Sequence, residues 1–386
     1  DNKQIYWKIP IIVDLGCGEV KAGFNGTEKI KAEFPNYIGE PKYKKILRGS
    51  DKDNQGESKE SFVGKDCDKY MGVLKLRYPV KGGVFQNEQD ILTVFNHIYS
   101  KLEIKSEEIK EHPILITEPL LNPYFHRRQV SSVLFDNFNV PALCFGSQPI
   151  LSLWASGYKS GVILESGEGV TQCCVVYEGY SIPHSYIRQD FAGRNVTEYL
   201  QTLLKKVGYS FNTTAEVEIV KRVKESLCYS MISNNPSDET KKLNETAQTL
   251  YTLPDGSYIS LKEEKVLAPE ILFNPSITGT EFMSFPEIIT TCLSKVDIDI
   301  RSHLYQHILL TGGNTLFKGL PEKLGSEVKK IAPKHMKVKL SAPGSRKNSA
   351  WYGGSIITSL GTFKNMWISR QDYLEKGEKE LFIKTI

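Results

Sequence analysis

The sequence has no long apolar run and no concentration of basic charge. No apolar run approaches the about 18 residues of a membrane-spanning helix, and the stretch DNKQIYWKIP (1–10) has no apolar segment behind positive charge. We therefore expect no membrane insertion and no signal peptide. Basic residues number 49 against 45 acidic ones and are scattered along the chain, which excludes the basic stripe of a protein that binds nucleic acid directly.

Cysteine occurs without any pairing pattern. The chain has seven cysteines and no CxxC spacing, at positions 17, 67, 144, 173, 174, 228 and 292. An odd number without metal-ligand spacing is typical of reduced thiols in the cytoplasm or nucleus, not of a disulfide framework or a zinc site. With 386 residues, of which 40% are hydrophobic, the chain is long enough for two globular domains.

Two short apolar runs end in the same arrangement of a carboxylate and glycines. Residues 9–13 are followed by DLGCG (14–18), and residues 161–164 are followed by ESGEG (165–169). Each run predicts a buried strand that enters a tight turn and then a second strand. Because the copies lie about one domain length apart, they predict two related lobes that face each other.

The rest of the chain alternates between helix and strand patterns. The patterns predict helices at 88–99, 195–206 and 214–230, strands at 114–117 and 308–310, a glycine turn at 311–314, and polar loops at 50–60 and 233–246. This alternation predicts α/β lobes with mixed sheets.

Glycine turns of this kind suit a polyphosphate ligand. Glycine allows positive φ and close approach to a ligand, and consecutive backbone N–H groups in such a turn form a concave anion site. The carboxylate at the start of each turn would repel phosphate unless Mg²⁺ lay between them, and Lys21 adds a positive charge. A plain hairpin is the alternative for either turn alone. Neither a Walker nor a Rossmann motif is present.

Segments along almost the whole chain resemble the actin family of the actin/Hsp70/hexokinase superfamily. They are DLGCGEVKAGF (14–24), TEPLLNP (117–123), FNVPA (138–142), LSLWASG (151–157), YEGYSIPH (177–184), TGGNTLFKG (311–319) and WYGGSIITSL (351–360). The resemblance implies an actin-like α/β fold with two related ATPase-type lobes around a nucleotide cleft. It implies a first lobe at 1–150 with an inserted gripping-loop subdomain at about 36–77, a second lobe at 151–350 with an inserted helical subdomain at about 192–280, and a C-terminal segment, 351–386, that returns to the first lobe.

The same resemblance implies which residues bind ATP or ADP with Mg²⁺. Phosphate contacts fall on Gly16, Cys17, Gly18 and Lys21 of the first lobe and on Gly167, Glu168 and Gly169 of the second. Ribose and base contacts fall on Lys224, Glu225, Gly312, Gly313, Phe317 and Lys347. Core packing is the alternative for Phe317, and a surface position is the alternative for Lys347. Asp14 and Glu165 would hold Mg²⁺ through water, and Gln148 matches the glutamine that positions the attacking water.

Four of the residues at this site depart from conventional actins. Cys17 replaces a serine, and its thiol is a weaker hydrogen-bond donor. Glu165 and Glu168 replace aspartates that organise Mg²⁺, and each adds a methylene. Gln172 replaces a histidine that helps relay a proton, which an amide cannot accept. We predict that nucleotide binds while hydrolysis is slow or lost, which leaves enzymatic activity open; a shifted metal position is the alternative.

Further segments resemble the centractin branch of the family, whose members form the short filament of dynactin. They are PKY (41–43), EIVK (218–221), NPSDE (235–239), LPDGS (253–257), TLFKG (315–319) and SEVKKIAP (326–333). The apolar stretch 273–285 resembles the plug between the strands of actin filaments, with a surface loop as the alternative. These resemblances imply a cytoplasmic, cytoskeletal filament subunit whose partners are itself, other actin-family subunits, and dynactin-type and dynein-associated proteins.

Other classes of function stay open or are disfavoured. A monomeric subunit of a chromatin-remodelling or other complex, possible also in the nucleus, is one alternative, and a filament protein like conventional actin is another. A sugar kinase would need a catalytic carboxylate in a suitable context, and a chaperone would need a peptide-binding domain; we find neither in the sequence.

Overall fold

The structure, a computed structural model, describes residues 7–42, 61–232 and 247–384. The loops predicted at 50–60 and 233–246 lie outside the described residues, as do residues 43–60 of the gripping-loop subdomain predicted at about 36–77.

The described chain divides into two compact units. The first unit is drawn from Asp1–Lys159 and Asn348–Ile386, and the second from Ser160–Lys347. The subdomains predicted within the two lobes stay predictions.

The described strands and helices are numbered in chain order. The strands are β1 (Ile11–Leu15), β2 (Glu19–Phe24), β3 (Ala32–Pro35), β4 (Ile38–Pro41), β5 (Phe62–Val63), β6 (Leu74–Arg77), β7 (Val80–Lys81), β8 (Val84–Phe85), β9 (Ile114–Glu118), β10 (Ala142–Ser147), β11 (Gly161–Ser166), β12 (Thr171–Tyr177), β13 (Tyr180–Ser181), β14 (Ile187–Gln189), β15 (Thr249–Thr252), β16 (Tyr258–Leu261), β17 (Ile308–Thr311), β18 (Leu340–Ser341) and β19 (Ile368–Ser369). The helices are α1 (Glu88–Leu102), α2 (Tyr124–Ser132), α3 (Gln148–Ala155), α4 (Gly193–Lys206), α5 (Thr214–Leu227), α6 (Glu264–Glu270), α7 (Phe285–Ser294), α8 (Ile298–Tyr305), α9 (Leu320–Ile331), α10 (Ser349–Thr358), α11 (Arg370–Lys376) and α12 (Glu380–Ile383). None of these described helices combines the length and the apolar character needed to cross a membrane.

The first unit is built on a mixed sheet with the strand order β19–β10–β9–β1–β2–β3. Strands β1, β9 and β10 are parallel, while β2, β3 and β19 join antiparallel. Every residue of β1 and β9 is buried, as in strands that are covered on both faces. Ile11 and Val13 pack with Ile91 of α1, whereas Ile12 packs on the other face with Trp351 of α10.

Helix α10 approaches this sheet and α3 so closely that glycine is needed. A Cβ on Gly353 would lie 1.9 Å from Leu151 O, and a Cβ on Gly354 would lie 2.8 Å from Ile12 Cγ2. Trp351 Nε1 also donates a hydrogen bond to Ile12 O at 3.1 Å. The chain after residue 348 therefore packs against the strand that leads into the first glycine turn.

The second unit repeats part of this arrangement. Its sheet has the order β13–β12–β11–β17–β18, and β14 pairs with β12. In both units an antiparallel hairpin, β1–β2 or β11–β12, has a parallel strand, β9 or β17, beside its first strand. Val162 and Leu164 of β11 belong to one large core with residues of α4, α7 and α9, including Leu200, Ile288 and Leu324.

The strand and helix patterns predicted within the described residues are confirmed, with boundaries that shift by up to about three residues. Two of these shifts have a clear physical cause. The first strand begins at Ile11 instead of residue 9, because Pro10 has no N–H to donate to a ladder. Helix α5 ends before the predicted position 230, because Tyr229 forms a β-bridge with Lys318 and Ser230 N donates to Lys318 O at 2.8 Å.

Candidate functional site

Asp14 and Lys21 form a charged pair at the first glycine turn. The hairpin register places them opposite each other on β1 and β2, and Lys21 Nζ lies 3.1 Å from Asp14 Oδ2. The two side chains are 9% and 6% exposed, respectively for Lys21 and Asp14. Because little water reaches them, the attraction between the two charges is stronger than for a pair on the surface.

Two further side chains hold Asp14 at the carboxyl ends of the parallel strands. Thr117 lies beside Asp14 on β9, and its Oγ1 donates to Asp14 Oδ1 at 2.5 Å. Gln148, the first residue of α3 after β10, donates from Nε2 to Asp14 Oδ1 at 3.1 Å and to Thr117 Oγ1 at 3.2 Å. Both carboxylate oxygens are therefore fixed at the edge of the sheet where α/β proteins bind ligands.

The turn between β1 and β2 is a tight backbone turn. Gly16 N donates to Glu19 O at 3.1 Å, and Gly16 O accepts from Asn36 Nδ2 at 2.8 Å. A Cβ on Gly16 would lie 2.6 Å from Glu19 O, so the turn has no room for a side chain there. Cys17 is buried, and its Sγ accepts a hydrogen bond from Gly83 N at 3.2 Å. The thiol therefore contacts the β7–β8 hairpin of the same unit.

Glu165 and Gln172 occupy the equivalent positions of the second unit. The register places them opposite each other on β11 and β12, and Thr311 lies beside Glu165 on β17. Gln172 is 2% exposed, and Glu165 is partly buried. The first hairpin thus pairs a carboxylate with a lysine, and the second pairs a carboxylate with a neutral amide.

Backbone hydrogen bonds fix the turn between β11 and β12. Gly167 N donates to Val170 O at 2.9 Å, and Gly193 N donates to Gly167 O at 3.0 Å. Gly312, which follows β17, has a φ of +90°, and a Cβ there would lie 2.2 Å from Ser166 O. Glycine is therefore required at position 312 by both the backbone conformation and the space.

Asn314 connects the turn that follows β17 to the end of β11. Its Nδ2 donates to Ser166 Oγ at 2.9 Å, and Ser166 Oγ lies 2.8 Å from Thr171 Oγ1. Thr171 Oγ1 in turn donates to Phe191 O at 2.7 Å. These buried hydrogen bonds link β11, β12 and the turn that follows β17.

Glu168, at the tip of the second turn, is paired with two lysines of α5. Its Oε2 lies 3.6 Å from Lys224 Nζ, and its Oε1 lies 3.8 Å from Lys221 Nζ. Lys224 Nζ also donates to Gly193 O at 2.8 Å. Burial by itself would raise the pKa of Glu168, but the positive charges of Lys224, Lys221 and Arg194 outweigh it and hold that pKa below its usual value.

The remaining predicted residues of the second unit lie in different surroundings. Glu225 is exposed on α5, and Phe317 is 8% exposed within the core of the unit. Lys347 is partly buried, with its Cγ 3.8 Å from the place that a Cβ on Gly313 would take. Their contacts with ribose and base stay predictions, as do those of the glycines.

Sequence reasoning missed three residues that the structure brings to these turns. Thr117 carried a signal, because it is the last residue of the predicted strand 114–117 and stands where a parallel strand ends. Lys221 also carried one, since it precedes Lys224 by one helical turn on the same face of α5. The hydrogen bond between Asn314 and Ser166 could not be predicted from sequence spacing, because the two residues are 148 positions apart in the chain. Within the described residues, no group of three or more His, Cys, Asp or Glu side chains is arranged to hold a metal ion.

Comparison with known proteins agrees with this architecture. The family model described as Actin matches residues 8–385. A protein of Neurospora crassa named "Actin-like protein" is 42% identical over 376 residues, which cover 96% of either chain. The chain belongs to the actin family. The predicted actin-like α/β fold is thereby confirmed, and proteins of this family generally bind ATP or ADP with Mg²⁺.

Proposed function

We propose that this chain is a filament subunit of the actin family that binds ATP or ADP with Mg²⁺ and hydrolyses ATP slowly or not at all. The observation that carries the proposal is the network on Asp14. A buried carboxylate is held by Lys21, Thr117 and Gln148 directly beside a backbone turn that has no room for a Cβ at Gly16. A carboxylate fixed in this way has a defined orientation before any ligand binds.

The residues present fit a magnesium nucleotide. In the first unit, Asp14 would hold Mg²⁺ through water, and the turn 16–18 with Lys21 would contact phosphate, because backbone N–H groups and an ammonium suit an anion. When bound, the ion supplies positive charge to the phosphates. In the second unit, the nucleotide would be held by Gly167, Glu168, Gly169, Lys224, Glu225, Gly312, Gly313, Phe317 and Lys347, with Glu165 reaching Mg²⁺ through water.

Gln172 supports slow hydrolysis. Gln172 lies opposite Glu165 in the hairpin and is 2% exposed, so the position is filled by a residue whose amide forms hydrogen bonds but does not accept a proton. General acid–base groups contribute about 10²–10⁴-fold to rates. We expect Gln172→His to raise the rate of phosphate release from ATP above that of the wild type. Wild-type hydrolysis as fast as that of a conventional actin would contradict the proposal.

An exposed apolar segment supports assembly. The segment 273–285 ends at the start of α7 and exposes Ile277 to 42% and Phe282 to 40%, and Phe282 stacks on Phe191 with ring centroids 5.1 Å apart. Exposed apolar side chains on a short segment are suited to burial against another subunit. The resemblance of this segment to the inter-strand plug of actins, and of several other segments to centractin, favours a short filament of the dynactin type.

The assembly is tested by gentle native purification of the tagged protein, negative-stain imaging and mass spectrometry of its partners. We expect short filaments of uniform length together with dynactin-type and dynein-associated proteins. Ile277→Asp is expected to abolish them, whereas Leu374→Asp, which alters a 65% exposed leucine on α11 of the other unit, is expected to leave them intact. A single copy held in a chromatin-remodelling or other complex would overturn the filament function while leaving the nucleotide proposal in place.

A further inference from the structure

Five charged side chains of the second unit interact electrostatically at the turn 167–170, and we call them the Glu168 cluster. Glu168 lies between Lys221 and Lys224, at 3.8 Å and 3.6 Å. Arg194 lowers the pKa of Glu168 as a third, weaker positive influence. The pKa of Glu198 is raised by burial, lowered by Arg194 and raised by Glu168, which places Glu198 in the same electrostatic environment. The cluster thus contains three positive and two negative groups.

The local sequence explains why these groups meet. Lys221 and Lys224 are three residues apart on α5 and share one face, as do Arg194 and Glu198, four residues apart on α4. Backbone contacts join the turn to the start of α4, because Arg194 N donates to Glu168 O at 2.7 Å. Glu168 is therefore joined to α4 through its backbone carbonyl and to α5 through its carboxylate.

The charge of Glu168 bears on the proposed ligand. A carboxylate at the tip of a turn repels a polyphosphate, and the repulsion is strong here because the side chain of Glu168 is only 14% exposed. The two lysines oppose that repulsion from within the same unit. Lys224 is already predicted to contact the nucleotide, whereas no role in the site has been assigned to Lys221, whose side chain is 12% exposed.

We propose that Lys221 is a positioning residue that acts through Glu168: it neutralises and fixes this carboxylate so that the turn 167–170 accepts an anionic phosphate group. The proposal rests on the nucleotide-binding function proposed above. The alternative is that the ion pair has only a structural role and holds the turn in place. A compensating charge changes the affinity for a ligand in proportion to the ligand's own charge, whereas an ion pair that only shapes the pocket changes the affinity for charged and neutral ligands alike.

The test measures binding of Mg·ATP, Mg·ADP and adenosine to the full chain by titration calorimetry. The variants are Lys221→Met, Lys221→Arg, Glu168→Gln and the double variant of Lys221→Met with Glu168→Gln. For Lys221→Met we expect a loss of affinity of about tenfold for Mg·ATP, a smaller loss for Mg·ADP and less than about twofold for adenosine. Lys221→Arg keeps the charge and is expected to stay near the wild type for all three ligands.

The two variants that carry Glu168→Gln are expected to shift the preference for Mg·ATP over adenosine in the direction opposite to Lys221→Met, or to restore it. Glu168→Gln removes the repulsive charge, so we expect it to raise affinity for Mg·ATP relative to adenosine. The double variant restores the net charge of the cluster, so we expect its preference for Mg·ATP over adenosine to return close to the wild-type ratio. If Lys221→Met does not fold, the Glu168→Gln ratio carries the test by itself.

The two proposals fail in distinguishable ways. A wild-type chain that binds none of the nucleotides overturns the proposed function and this inference with it. Two results would overturn the inference alone, provided that the wild type binds nucleotide. One is equal losses for Mg·ATP and adenosine in Lys221→Met; the other is an unchanged or lowered preference for Mg·ATP over adenosine in Glu168→Gln, the lowered preference showing that Glu168 supports Mg²⁺ instead of repelling phosphate.

Discussion

Replacing Thr117 by valine tests the Asp14 network with little change of shape. Valine keeps the β-branched outline but lacks the hydroxyl that donates to Asp14 at 2.5 Å and accepts from Gln148 at 3.2 Å. A hydrogen bond to a charged group contributes about 1.5–3 kcal/mol to the free energy of unfolding. For a unit of about 200 residues, a loss of about 2 kcal/mol lowers Tm by about 4–8 °C.

Thr311 offers a matched control in the second unit. It is fully buried and lies beside Glu165 on β17, as Thr117 lies beside Asp14 on β9. Among the described residues, however, Thr311 Oγ1 has no hydrogen-bond partner. A buried hydroxyl that forms no hydrogen bond costs stability, so we expect Thr311→Val to leave Tm unchanged or raise it.

The assay is thermal unfolding of both variants and the wild type, followed by circular dichroism without added nucleotide. The network interpretation predicts a clear fall in Tm for Thr117→Val and none for Thr311→Val. Equal falls would show that any threonine near these turns is sensitive, and a Thr117→Val variant with the wild-type Tm would show that its hydroxyl contributes nothing. Either result would refute the reasoning.

Three further predictions concern packing, the C-terminal helix and the thiols. Gly353→Ala sets a Cβ 1.9 Å from Leu151 O, and we expect it to lower the free energy of unfolding, measured by urea titration, by about 1–3 kcal/mol. The control is Gly325→Ala on α9, where a Cβ would have nothing within 4 Å, and we expect it to raise the free energy of unfolding by about 0.5–1 kcal/mol. The reverse order would contradict the packing of α10. Arg127→Leu removes the donor to Leu381 O at 2.9 Å and is expected to speed proteolysis near α12, while an unchanged digestion rate would argue against this anchor. Burial raises the pKa of the thiols of Cys67, Cys144 and Cys228 from an ordinary 9.0 to about 12. We therefore expect these thiols to react slowly with a disulfide reagent at pH 8 in the folded protein. Their contribution to the free energy of unfolding is expected to be present below about pH 9 and to be lost as the pH rises toward 12. Rapid modification of the folded protein would contradict that burial.

Local pattern was sufficient to predict the two hairpins. The apolar runs at 9–13 and 161–164 and the glycines after each carboxylate are features of neighbouring residues, so they can be recognised without knowing the fold. Thr117 could not be placed in this way, because it is 103 residues from Asp14 in the chain. Only the parallel pairing of β1 with β9 brings the two side chains together, and that pairing is a property of the whole sheet.

The surroundings of Glu168 show a second limit of sequence reasoning. The family resemblance placed this residue at the phosphates, and the helical period indicates that Lys221 and Lys224 share a face of α5. The pattern does not say which group that face meets. The ion pairs depend on how α5 packs against the turn, and the same kind of long-range contact, between Tyr229 and Lys318, decides where α5 ends.

The most direct test of the account is the nucleotide content of the gently purified wild-type chain, with Mg²⁺ kept in every buffer. The protein is denatured, and the released small molecules are separated and quantified by ion-exchange chromatography. We predict about one ATP or ADP per chain, and a strongly reduced amount in Asp14→Asn, because the orientation of that carboxylate is what the network maintains. A wild-type chain that releases no nucleotide, and that also binds no added ATP, would contradict the central claim.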